Sequence, residues 1–193
     1  MFLMQDFAMA TIFETQRLIV RDWIPDEDAS AAFEIYSDPE VTRFLGNGET
    51  QQSVETQCQS LQRLRDRYAQ FNNGTGYWAI VDKERGKIVG SVTVKQLPDN
   101  EGQPTSDYEV GWHLRQESWG KGYATEAGHA AVEYAFSVLK LPVLYAVVKP
   151  ANQASIRVTQ RLGMTPIGRT NKYYGAELEL FKLDAQQWRD RLI

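Results

Sequence analysis

Apolar positions along the chain switch between two periods, and each switch marks an element. In RLIVRDW (17–23), Leu18 and Val20 fall on one side of an extended strand. In IPDEDASAAFEIYSDPEV the spacing becomes helical, with Ala32, Phe33 and Tyr36 as the apolar stripe. Pro25 suits the first turn of that helix, and Asp26, Glu27 and Asp28 suit its positive end. The Asp38-Pro39 step should stop it, and GNGET (46–50) reads as a loop. Residues 51–70 return to helical spacing through Val54, Cys58, Leu61, Leu64 and Tyr68. YWAIVD and KIVGSVTV, joined by KERG with Gly86 free to take positive φ, predict a hairpin. LPDNEGQPTS predicts a longer turn, and DYEVGWHL a third strand. A helix then runs to about Lys140, and Pro142 precedes the apolar run VLYAVV, a buried strand. NQASIRVTQRLGM is a helix closed by Gly163. TPIGRTNKYY and ELELFKL are two closing strands, followed by the short helical segment DAQQWRDR.

This order combines an antiparallel meander with one strand–helix–strand crossover. It predicts an α+β domain around a mixed sheet of about seven strands, flanked by helices. With 193 residues and no linker or repeat, one domain over 13–193 is expected, with residues 1–12 as an N-terminal extension. Composition adds little beyond exclusions. The net charge of −4 argues against a nucleic-acid partner, which needs a basic face. A single cysteine, Cys58, forms no internal disulfide. No run reaches the roughly 18 apolar residues of a membrane span. The start, MFLMQDFAMA, has no early positive charge and is interrupted by Asp6, so it makes a poor signal peptide; Met9 offers a second start. The expected location is the cytoplasm. His113 and His129 lie far from any Cys/His cluster, so no metal site is expected.

One stretch departs from ordinary patterning. In SWGKGYATEAGHAAVEYAF (118–136) two glycines stand directly against an alanine-rich helix. A helix start leaves up to four backbone N–H groups unpaired and carries about half a positive charge. Glycines there let anionic oxygens approach the backbone without meeting a Cβ. Gly120, Gly122 and the small Ala124 alternate just after a strand, an arrangement suited to cradling a diphosphate. A tight strand-to-helix turn without a ligand is the plain alternative. The segment is neither GxxxxGK[ST] nor GxGxxG, since Thr125 stands where the third glycine belongs.

These residues resemble a known family. DYEVGWHLRQESWGKGYATEA is similar to the acetyl-CoA segment of GNAT acetyltransferases, in the branch of the ribosomal-protein N-terminal acetyltransferases. The superfamily pattern Gln/Arg-x-x-Gly-x-Gly/Ala reads here Trp119-Gly120-Lys121-Gly122-Tyr123-Ala124, with Trp119 in place of Gln or Arg. ETQRLIVRDW, SDPEVTRFLG and NQASIRVTQRLGM resemble further segments of that branch, in the same order. The resemblance implies acetyl-CoA as co-substrate, held by Leu114 and by Trp119, Gly120, Lys121, Gly122, Tyr123, Ala124 and Thr125, with Asn152 contacting it. It also implies that the strand ending at Leu114 splays from VLYAVV to admit the pantetheine arm, and that Ser155 lies near the sulfur.

Acetyl transfer to an amine needs an anchored thioester, a neutral amine and a stabilised thiolate. Ser155 is a candidate to hydrogen-bond the thiolate, although with Asn152 it also suits a helix cap. Glu109 is the candidate base, sharing a strand face with Gly111 and His113; a carboxylate bonded to backbone is the alternative. Glu126 is explained by the helix dipole. Tyr77, Trp78, Tyr173 and Tyr174 either line the acceptor side or pack in the core. Cys58 lies outside the recognised segments, which disfavours an acetyl-enzyme route. The expected function is direct acetylation of a primary amine, a peptide or protein N-terminal α-amine. A small-molecule amine and a non-catalytic acyl-CoA-binding module are the alternatives, and the protein is expected as a monomer or homodimer.

Overall fold

In the computed structural model, residues 11–191 are described. They form one eight-stranded sheet in the order β1-β2-β3-β4-β5-β6-β8-β7. The strands are β1 (Thr11–Glu14), β2 (Leu18–Arg21), β3 (Gly76–Asp82), β4 (Lys87–Pro98), β5 (Pro104–Leu114), β6 (Val143–Val148), β7 (Thr165–Thr170) and β8 (Leu178–Asp184). The helices are α1 (Pro25–Tyr36), α2 (Pro39–Thr42), α3 (Val54–Phe71), α4 (Tyr123–Ser137), α5 (Gln153–Arg161) and α6 (Ala185–Arg189). Every strand pair is antiparallel except β5–β6. The mixed sheet expected from the sequence is therefore present, with one strand more. β1 pairs with β2 from Thr11 onward, so Thr11 and Ile12 belong to the sheet and not to the N-terminal extension. The rest of that extension lies outside the described residues.

Two layers of helix cover the sheet, and strand alternation sorts the side chains between them. On one face α4 lays Ala127, Ala131 and Ala135, all fully buried, against Val92, Val94 and Val110. Side chains this small let the helix axis sit close to the strands, and α5 joins the layer through Val158 and Leu162. A Cβ on Gly128 would stand only 3.0 Å from Leu162, so α4 and α5 approach closely at that glycine. On the other face Ala32 and Ile35 of α1 and Leu61 of α3 cover Ala79 and Ile88.

Several boundaries moved. The Asp38-Pro39 step ends α1 but starts the short α2, because the Asp38 side chain accepts from Glu40 N and caps it. α4 stops at Ser137, not Lys140, which takes φ +57°. β7 ends at Thr170, leaving Tyr173 and Tyr174 in the turn to β8. No described helix is long and apolar enough to cross a membrane.

Candidate active site

The start of α4 is built unlike those of α3 and α5. α3 has a Ser53–Thr56 capping box and α5 an Asn152 cap, but α4 begins on Gly122 with no side-chain cap. Ser118 N and Trp119 N reach backbone acceptors before it, and Glu126 N reaches Gly122 O after it. Between them the six amides of residues 120–125 have no acceptor among the described residues. Gly120 and Gly122 hold φ of +74° and +82°, a left-handed conformation that costs an ordinary L-residue about 1–2 kcal/mol. Those two angles turn the amides outward together.

The amides open on a groove of about 480 Å³, lined on one side by Trp112–Leu114 and on the other by Asn152, Arg157 and Arg161. Thr125 Oγ1, buried and without a partner, lines the same groove. Convergent N–H donors, an orphaned hydroxyl and two guanidinium side chains fit a diphosphate-bearing coenzyme.

The loop is held in shape from behind. Glu126 accepts from Thr15 Oγ1 at 2.6 Å, Arg17 N at 2.9 Å and Arg17 Nε at 2.7 Å. Burial works against its ionised form, but these hydrogen bonds outweigh that and hold its pKa below the ordinary value. Arg17 Nη1 also donates to Lys121 O at 3.0 Å, and the guanidinium lies 4.8 Å from the Tyr123 ring centroid. Tyr123 itself turns away from the groove, donating its hydroxyl to buried Asp82 at 2.7 Å. Only its backbone can serve a ligand. Trp119 closes the preceding turn, its indole N–H donating to Leu114 O at 2.9 Å.

β5 and β6 are parallel neighbours that share a single registered pair, Glu109 with Tyr145. Beyond that pair they separate. Arg115 N still reaches Val89 O of the hairpin partner, so the polar backbone groups of Leu114 and Trp112 point to the opened edge. The Leu114 carbonyl there is taken by Trp119, which narrows the free edge to Trp112 and the Leu114 amide.

On the other side of the opening lies a second cavity of about 440 Å³, whose lining includes Tyr77, Lys95, Glu109, Lys149, Ser155 and Tyr174. Glu109 is buried, 3.3 Å from Lys95 Nζ, and accepts a hydrogen bond from Tyr174. Tyr174 carries φ +60° and its ring stands 5.2 Å from Lys95 Nζ, so the β7–β8 turn is strapped over the carboxylate. Ser155 lines both cavities. Its amide donates to the Asn152 side chain at 3.1 Å, so capping uses the backbone and leaves the hydroxyl for other work.

A polar cluster that the sequence does not reveal backs this cavity. Tyr77 Oη lies 2.6 Å from His113 Nδ1 and 2.5 Å from Tyr36 Oη, and Tyr36 Oη lies 2.9 Å from buried Ser91 Oγ. Burial, helped by the charge of Lys95, lowers the His113 pKa to about 4, so the ring is neutral at physiological pH.

The structure therefore gathers Glu109, Leu114, Asn152, Ser155 and the 119–125 segment around one opening. Of the four aromatics, Tyr77 and Tyr174 line the second cavity. Trp78 packs in the core, and Tyr173 is buried with its hydroxyl on Asp107 at 2.6 Å. Glu126 does more than answer the helix dipole, since it anchors the loop to the turn between β1 and β2. Thr15, Arg17, Tyr36 and Lys95 join the site from segments distant in sequence, whereas Arg157 and Arg161 stand on α5 beside Ser155 and carry no spacing signal of their own. His113 carried one usable signal, the two-residue alternation that puts it on the same strand face as Glu109 and Gly111.

A mixed sheet split between its parallel strands lies beside a glycine-started helix with unpaired amides, an arrangement that fits a diphosphate-bearing coenzyme. Residues 17–165 match the family described as Acetyltransferase (GNAT) domain, and the chain belongs to that family. It is an acetyl-CoA-dependent N-acetyltransferase. The chain is 33% identical over 165 residues to the uncharacterized N-acetyltransferase YoaA of Bacillus subtilis, covering 86% of this chain and 89% of that protein. An acetyltransferase from Agrobacterium tumefaciens superposes with a TM-score of 0.72 at 26% identity, over 92% of this chain and 95% of that one. The fold is also that of a ribosomal-protein-S5-alanine acetyltransferase from Vibrio fischeri, with a TM-score of 0.69 at 23% identity, over 91% and 97% of the two chains.

Proposed function

We propose that this acetyltransferase moves the acetyl group directly to the α-amine of a peptide or protein N-terminus. The observation that carries the reading is the environment of the acceptor cavity. The burial and the Lys95 charge that hold His113 neutral also work against a bound ammonium, against which Glu109, already 3.3 Å from Lys95, is the opposing charge. An acceptor must then give up its proton on entry. That step costs roughly 3 kcal/mol less for an α-amine, pKa about 7.7–8.0, than for a lysine amine near 10.4. The likeness to a ribosomal-protein-S5-alanine acetyltransferase supports the same acceptor class.

Acetyl-CoA supplies an acetyl group activated as a thioester. The amides of Gly120 to Thr125 hold its diphosphate, and the free β5 edge holds its amide-rich arm. The attacking nitrogen forms the C–N bond, the C–S bond breaks, and the nitrogen loses one proton as the sulfur leaves with the electron pair. Glu109 receives that proton, directly or through water, and the Ser155 hydroxyl hydrogen-bonds the departing thiolate. Because a thiol has a pKa near 8.5, one such bond suffices for departure at neutral pH.

Free-thiol release from acetyl-CoA, measured with peptides bearing a free α-amine, N-blocked lysine peptides and small amines, tests the assignment. Turnover confined to free α-amines is expected. Preference for a small amine, or equal use of lysine ε-amines, would overturn it.

A further inference from the structure

We propose that His113 donates a hydrogen bond from Nε2 to the acyl carbonyl oxygen of the bound thioester, as a neutral imidazole whose tautomer is set by Ser91, Tyr36 and Tyr77. The proposal rests on the cofactor groove being where acetyl-CoA binds.

The transferring group must sit where the two cavities meet, since both substrates reach it. Six residues line both: Phe44, Leu45, Trp112, His113, Asn152 and Ser155. Among their polar side chains, Asn152 already accepts from Ser155 N, Ser155 is the group proposed above for the departing thiolate, and the Trp112 indole packs against the core. His113 Nδ1 is engaged by Tyr77. Its ring lines both cavities, and its Nε2 has no described hydrogen-bond partner and is not sealed from solvent.

The cluster decides which nitrogen carries the proton. Ser91, Tyr36 and Tyr77 bring three hydroxyl protons to three oxygens, and the only described neighbour without a proton of its own to place is an unprotonated imidazole nitrogen. Donation along Ser91, Tyr36 and Tyr77 ends on Nδ1 and leaves the proton on Nε2, facing the junction. The charged and titratable groups around the ring are Tyr36 of α1, Tyr77 of β3, Lys95 of β4 and Glu109 of β5. Burial and Lys95 both keep the ring uncharged, which makes it a poor proton acceptor but a donor that persists across the working pH range. As the amine attacks, negative charge builds on the carbonyl oxygen, and a fixed neutral donor there stabilises it without a proton transfer.

The test is ¹⁵N-imidazole NMR on the full chain, whose only histidines are His113 and His129, with assignment by His113→Gln. The free protein should show His113 protonated at Nε2, and Tyr77→Phe should mix the two tautomers. Acetyl-CoA should shift the Nε2–H resonance, whereas CoA, which lacks the carbonyl, should not. A Nδ1-protonated ring in the free protein, or equal shifts with both ligands, would overturn the proposal. Should acetyl-CoA leave the Gly120 and Gly122 amide resonances unmoved, the cofactor-groove assignment itself fails, and the His113 role falls with it.

Discussion

Arg17→Met removes a guanidinium from behind the anion loop while keeping an aliphatic stem of similar length. Three contacts go: Nε to Glu126 at 2.7 Å, Nη1 to Lys121 O at 3.0 Å, and the face of the Tyr123 ring at 4.8 Å. The Arg17 side chain is 45% exposed, so its ion pair is worth only about 0.2–1 kcal/mol. The bond to the Lys121 carbonyl adds about 0.5–1.5 kcal/mol and the ring contact about 0.5–1 kcal/mol. These terms overlap, and about 1–2 kcal/mol is a fair total. Thr15 Oγ1 and the Arg17 amide still hold Glu126, so the fold persists. The loss falls on the loop, because Lys121 lies between the two left-handed glycines. A loop that must be ordered by its ligand weakens acetyl-CoA affinity by about 5- to 30-fold. Calorimetric titration with acetyl-CoA measures this, with a melting curve to verify folding. An unchanged Kd in a folded variant would refute the idea that the latch preorganises the loop.

Gly122→Ala should weaken the same affinity by about 1–2 kcal/mol through backbone strain; its Cβ would meet Arg17 only at an ordinary 3.4 Å, so a clash is not the cause. Ser155→Ala and Glu109→Gln should lower kcat while leaving the acetyl-CoA Kd within twofold; a module that only binds acyl-CoA would show no turnover to lose. His113 titrates near 6.5 when unfolded and near 4 when folded, so the unfolded chain binds more protons between those values and stability is lost as pH drops through that range. Urea unfolding should show this one group contributing about 2 kcal/mol of lost stability at pH 5 relative to pH 7, a contribution that His113→Gln removes. Glu126 behaves in the opposite range: its lowered folded pKa adds stability above its ordinary value, which is lost as pH falls through the folded one, and Arg17→Met should shrink that acid-side loss.

The elements with strong local periodicity were readable from the sequence. α1, α3 and α5 stand where apolar spacing and caps put them, and the β3–β4 hairpin turns at Gly86 as expected. β1 escaped notice because four residues on a sheet edge carry too little pattern to register. Boundaries slipped where local and tertiary demands differ, as at Lys140 and in the Tyr173–Tyr174 turn. The uncapped start of α4 was legible because glycines that hold left-handed geometry leave a mark in the sequence itself, whereas a diphosphate seat there rested on the family resemblance. The roles of the aromatics were not, since Tyr77 and Trp78 are adjacent and strand alternation alone sends one to the cavity and the other to the core.

The sequence by itself determined the order of the longer elements, the mixed sheet and the glycine-started helix, because each follows from spacing and backbone preference within a short stretch. Only the tertiary structure decided what surrounds the opening. Arg17 reaches the loop from 104 residues away, and Tyr36 meets His113 across 77. Tyr174 closes over Glu109 from 65 residues beyond it. Contacts of that span depend on how the sheet twists and where β5 leaves β6. No local preference of the chain encodes them.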